Sequence, residues 1–147
     1  MKVDWLYQGQ PLDTPPANAL SFVYQITNLV SGKAYIGFKL FYFTKTKILK
    51  GKRKKILEES DWRTYWSSSD ELRADVLQHG MENFQREILY ICPNKAIGKY
   101  LEAQVQMDRR VLENPDKFYN GIINLRVSRN HIKQLLDPPN QRLNATS

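Results

Sequence analysis

Cysteine and histidine are nearly absent from this chain of 147 residues. A single cysteine, Cys92, excludes an internal disulfide and suits a reducing, cytoplasmic setting. Two histidines and one cysteine are too few for the usual zinc centres. No apolar run reaches the roughly 18 residues that a transmembrane helix needs, so no membrane partner is expected. The opening Met1-Lys2-Val3-Asp4-Trp5 shows no apolar secretory segment. There is no internal repeat. What is present is a hydrophobic fraction of 41%, enough for one domain with a real core.

Charge of one sign is also missing, but only locally. Residues 45–55 hold Lys45, Lys47, Lys50, Lys52, Arg53, Lys54 and Lys55 with no acid among them. The net charge is +7, and the rest of the chain carries 15 basic and 15 acidic residues, so this segment supplies the whole excess. A concentrated positive run attracts phosphates with strong salt dependence. A solvated loop is the competing reading.

Proline and glycine punctuate residues 1–20, which read as an extended arm with little regular structure. Phe22, Tyr24 and Ile26 alternate with Val23, Gln25 and Thr27, predicting a strand. Asn28 to Gly32 supplies a turn, and Ala34 to about Phe43 the return strand. The basic segment, about 44–60, reads as an exposed insertion, in part helical. Ser68 and Glu71 fit a capping box for a helix that buries Leu72, Val76 and Leu77 and stops at Gly80. Phe84 to Ile91 is a third strand. Lys95 to Glu113 is the longest helix, with Ala96, Tyr100, Ala103, Met107 and Val111 as its inward stripe, widened by Leu101 and Val105 and ended by Asn114-Pro115. Ile122 to Val127 reads as a short strand, Ser128 caps a last helix to Leu136, and residues 137–147 read as a disordered tail. This order predicts an α/β (α+β) domain over 21–136: a small three-stranded antiparallel sheet flanked by helices.

The two strands of the first hairpin each carry a tyrosine, Tyr24 and Tyr35. A register that pairs them places both phenols on one face, and a one-residue slip separates them. Phenols hold a water, donate to phosphate oxygens or move protons. Packing is the commoner role of strand tyrosines.

From Phe22 to about Asn124 the chain resembles the GIY-YIG nucleases. Tyr35-Ile36-Gly37 matches the second motif intact, and Tyr24 is kept in the first, where Phe22-Val23 stands for Gly-Ile. Tyr65-Trp66-Ser67-Ser68-Ser69, Leu72, His79-Gly80, Phe84, Ile88-Leu89, Leu101-Glu102 and Phe118-Tyr119-Asn120 follow in the order of phage-type, homing-endonuclease-like members. The resemblance implies hydrolysis of a DNA phosphodiester with one divalent cation, Mg2+ or Mn2+, held by Glu102. It implies that Tyr24 and Tyr35 handle water and phosphate, and that Asn120, with Asn124 as a rival, braces the site. The family's helical Arg has no counterpart here. Lys39 is one replacement, and Arg63 with Tyr65 is the other, while Ser67 stands at a further His position. Bottom-up, Glu102 is a mid-helix glutamate that also fits a solvated position, and His79 reads as a helix-end residue. The basic segment would grip the DNA backbone. A monomer and a homodimer stay open, as do an inactive DNA-binding relative and a nuclease for branched or damaged DNA.

Overall fold

The computed structural model describes residues 2–136. Its centre is a five-stranded sheet in the order β2-β1-β7-β3-β4. The strands are β1 (Trp5–Tyr7), β2 (Gln10–Pro11), β3 (Ser21–Asn28), β4 (Ala34–Leu40) and β7 (Phe84–Cys92). A separate two-stranded ribbon, β5 (Tyr42–Leu49) and β6 (Lys52–Glu59), projects between β4 and helix α1 (Asp70–His79). Helix α2 (Lys95–Asp108) and a short α3 (Lys133–Leu136) complete the described elements.

The mixed α/β (α+β) class is the expected one, but the sheet has five strands where three were expected. The N-terminal arm supplies the two extra strands, with β1 parallel to β7 and β2 closing a tight hairpin on β1. Trp5 drives this docking. Its ring is buried edge-on against Phe22 and Tyr24, and its indole N–H donates to the Trp62 carbonyl at 2.7 Å. Pro11 lies within the edge strand β2, where a missing N–H is tolerated, while Gly9, Pro15 and Pro16 fall in loops, so the composition that suggests an irregular arm misses this anchor.

The two faces of the sheet build two cores. Phe22, Tyr24 and Ile26 point to one side and pack with Trp5, Phe41, Trp62 and Leu72. Val23 and Ile36 point to the other and pack under α2 against Ile97 and Leu101. The inward face of α2 is turned only in part from the expected stripe: Leu101, Ala103 and Val111 are buried as expected, Ile97 and Gly98 join them, and Met107 is 60% exposed. Gly98 explains the rotation. An added Cβ there would lie 2.6 Å from the Ser21 hydroxyl, so the helix seats closely on this spot. The helix ends at Asp108, well before Pro115, because Arg110 turns left-handed at φ 53.

Other boundaries shift for identifiable reasons. The N-cap of α1 is Ser69, which accepts from Leu72 N, because the Ser68 hydroxyl is used by Tyr35. Glu71 pairs with Lys33 at 2.9 Å instead of closing a capping box, and Leu77 is 89% exposed. Residues 122–127 form no strand, since the open edge of β4 is already taken by Lys117 to Tyr119. Ser128 does cap the last turns, through His131. The basic segment is a hairpin with the two-residue turn Lys50-Gly51, φ 52 and 75, a pair of positive angles that matches the twist of its strands. A ribbon wet on both faces has no apolar alternation, so its sequence looks like a loop. The expected disordered tail lies outside the described residues.

Arg86 on β7 ties these parts together. It is buried, and its guanidinium lies between the rings of Trp5 at 4.7 Å and Trp66 at 4.5 Å. It donates to the carbonyls of Tyr65 at 2.8 Å, Arg63 at 3.0 Å and Val3. Burial pulls its pKa down to about 10, with Asp4 opposing. Arg86→Lys keeps the charge but loses the planar fork. We expect it to lower the unfolding free energy by about 2 kcal/mol or more in urea denaturation, since buried carbonyls lose their donors.

Candidate active site at the sheet edge

The β3–β4 register pairs Tyr24 with Gly37 and Ile26 with Tyr35, two residues from the pairing that would set the tyrosines directly opposite. The phenols still share a face, now on a diagonal, with ring centroids 6.2 Å apart. The offset has a use. A Cβ on Gly37 would lie 2.5 Å from Tyr24 Cζ, still closer to its hydroxyl, and 2.8 Å from Tyr35 Cε2. The Tyr24 ring therefore lies across the glycine and carries its hydroxyl over β4, the last strand of the sheet.

Glu102 comes from α2 on the opposite face and reaches the same edge. Its carboxylate accepts from Gln106 Nε2 at 3.2 Å and lies 3.7 Å from Lys99 Nζ. Gln106 also donates to the Ile36 carbonyl at 3.0 Å. Asn120 grips the same residue: Ile36 N–H donates to its Oδ1 at 3.0 Å, and its Nδ2 donates to the Ile36 carbonyl at 2.8 Å. These contacts satisfy an exposed sheet edge and lock α2 in position. Asn120 is thus buried and braces the edge, while Asn124 is exposed.

Tyr65 completes an aromatic cluster, edge-on to Tyr24 at 6.1 Å. Lys39 Nζ sits 4.1 Å from the centre of the Tyr65 ring and 2.6 Å from Asp61 Oδ1. The Tyr35 hydroxyl meets Ser68 Oγ at 3.2 Å. Arg63 is not brought here. It stacks on Trp62, pairs with Glu59 and donates to the Asp13 carbonyl. The basic residues 45–55 lie on the ribbon, whose root is beside Lys39. Ser68, Lys99 and Gln106 were not picked out as site residues. For Lys99 and Gln106, the i−3 and i+4 spacing to Glu102 was the available signal.

Burial shapes the chemistry. It raises Tyr24 well above an ordinary phenol, and the nearby Tyr65, Tyr35 and Glu102 add to the effect. Tyr35 and Tyr65 are also raised mainly by burial. Tyr24 is therefore a neutral hydrogen-bonding phenol near pH 7. Burial likewise raises Glu102, with Lys99 and Gln106 opposing. A half-buried carboxylate that Lys99 meets only at 3.7 Å is an environment that a divalent cation can relieve. No cluster of three or more His, Cys, Asp or Glu exists among the described residues. Mg2+ suits a single carboxylate because it retains several waters.

Residues 5–123 match the family model described as "Putative endonuclease segE, GIY-YIG domain". The chain belongs to the GIY-YIG endonuclease family. No curated protein and no solved structure matches it. Within this GIY-YIG domain, the replaced residues of the first motif fall outside the polar site. Phe22 packs on Trp5 and Phe41, and Val23 faces α2, so their change alters the core beneath Tyr24.

Two outcomes test this geometry. Gly37→Ala overpacks the Tyr24 ring and should cost about 1–3 kcal/mol in thermal or urea unfolding, with Tyr24→Leu in the same chain recovering most of it. A Glu102 pKa raised by burial gives stability that is full below the unfolded carboxyl pKa and lost as pH rises through the folded value. Glu102→Gln, which stays neutral, should match the wild-type Tm in acid and exceed it in mildly alkaline buffer.

Proposed function

We propose that this GIY-YIG domain is a divalent-metal-dependent DNA endonuclease that hydrolyses phosphodiester bonds. The observation that carries the reading is the convergence of Tyr24, Tyr35, Tyr65 and Glu102 at one sheet edge, from both faces of the sheet. Glu102 would hold Mg2+ or Mn2+. Bound there, the cation supplies Lewis-acid polarisation of a phosphate oxygen and charge for the leaving oxygen.

The chain's own residues do the rest. Tyr24, kept protonated by burial, orients the attacking water by hydrogen bonding rather than acting as a phenolate base. Tyr35, partnered by Ser68, positions a phosphate oxygen. Lys39, stacked on Tyr65, offsets the added negative charge of the transition state. Gln106 and Asn120 act through position, holding Glu102 and the Ile36 backbone in place. DNA enters along the side that bears the basic residues 45–55. For a phage-encoded chain the place of action is the bacterial host's cytoplasm.

The second reading is a DNA-binding relative that no longer cleaves, suggested by the altered first motif. The core placement of Phe22 and the retention of Tyr24 and Glu102 weigh against it. A nuclease restricted to branched or damaged DNA is the third.

Supercoiled plasmid with Mg2+ should be nicked or linearised, and EDTA should stop the reaction. Tyr24→Phe should slow cleavage about 100-fold or more, and Glu102→Gln should abolish it while DNA affinity persists. Full activity of Glu102→Gln would remove the metal assignment. Binding without cleavage would favour the second reading, and cutting of a four-way junction alone would favour the third.

A further inference from the structure

The β5–β6 ribbon carries a charge pattern that a free ribbon does not favour. Lys47 lies directly opposite Lys54. Like charges facing each other across two strands destabilise the pair. Of the seven cations in 45–55, Lys45 alone makes an ion pair with another described residue, to Glu58 at 3.0 Å near the root. Acids cluster at the root and cations at the tip. A polyanion lying along the outer half removes the repulsion.

Two apolar residues stand among these cations. Ile48 is 73% and Leu49 48% exposed, and as successive strand residues they lie on opposite faces, Ile48 across from Arg53 and Leu49 across from Lys52 beside the turn Lys50-Gly51. Leu49 forms the floor of a shallow hollow rimmed by Lys50, Lys52 and Lys54. The root, in contrast, is fixed: Ser60 N–H donates to the Phe41 carbonyl at 2.8 Å, Ser60 Oγ to the Leu40 carbonyl at 2.6 Å, and Trp62 Nε1 to Glu59 at 2.8 Å. Eight-residue strands reach about 23 Å, the length of roughly seven base pairs.

Composition decides how such a ribbon would use DNA. Residues 42–59 contain one Arg and no Asn or Gln, so they offer few side chains for paired hydrogen bonds to base edges. They offer lysines for phosphates and branched apolar groups at the end. Apolar wedges set among cations suit partial unstacking of base steps from the minor groove.

We propose that the β5–β6 ribbon is a DNA-bending arm. Lys47, Lys52 and Lys54 hold the phosphates flanking a minor groove, and Leu49, on the same face, wedges between base steps. The choice of DNA as partner rests on the endonuclease reading above. The arm selects sites by deformability, favouring flexible pyrimidine–purine steps over base sequence. It also sets the cut at a distance from the bend limited by the ribbon's length.

The test is end-to-end energy transfer in a doubly labelled DNA duplex, with EDTA present to prevent cleavage. The full-length chain should bring the ends together. L49A, checked for an unchanged circular dichroism spectrum, should bind at most about tenfold more weakly and leave the duplex straight. K52A/K54A should bind more weakly with a salt slope smaller by about two, yet bend the DNA it does bind. A duplex bent equally by L49A, or left straight by the wild-type chain, overturns the arm. Preference for double-stranded RNA or phosphatidylserine vesicles over the same duplex also overturns it. Plasmid nicking separates the two readings. Nicking without bending refutes only the arm, and wedge-dependent bending without nicking supports the arm while refuting the nuclease.

Discussion

A missing methyl group decides where the Tyr24 hydroxyl can sit. Gly37 leaves the space into which the Tyr24 ring falls, so a phenol rooted on an inner strand presents its hydroxyl at the outer edge. Without that passage Tyr24 would be one more packed aromatic residue, and Glu102, which approaches from the opposite face, would have no partner. The second motif's glycine is thus a steric requirement: its φ is not in the left-handed region, and its value lies in what it does not fill.

An open sheet edge is a liability, and here it is also the candidate site. Asn120 and Gln106 resolve the conflict by bonding the outward backbone of Ile36 while leaving Glu102 accessible. On the other side of the sheet, Arg86 does comparable work for Tyr65. Three backbone carbonyls and two indole rings surround one guanidinium, binding the N-terminal arm, the central strand and the Tyr65 loop into a single unit. The site therefore stands on rigid elements from four separate stretches of chain.

The ribbon follows the reverse logic. Its root is buried and hydrogen-bonded, whereas its outer half has neither apolar cover nor compensating acids. The facing pair Lys47 and Lys54 breaks a local pairing rule in that outer half. Burial and charge thus divide the molecule into a pre-formed edge and a reaching arm.

Local pattern carried much of this structure. Alternation over Phe22–Thr27 marked β3, the Asn28–Gly32 turn joined it to β4, and the order of motifs pointed to the family. Composition and charge located the cationic segment without giving its form. What sequence left open depends on contacts between distant residues. The diagonal register of the tyrosines follows from sheet pairing, and the rotation of α2 follows from Gly98 seating on Ser21. Trp5 and Arg86 recruit the arm into the sheet through contacts some 80 residues apart in the chain. The choice of Lys39 over Arg63 beside Tyr65 was equally out of reach, since both are ordinary cations until Asp61, Glu59 and Asp13 claim them. Periodicity is a property of neighbours in sequence. Which face, which edge and which cation serve the site are settled only when the two cores close around the sheet.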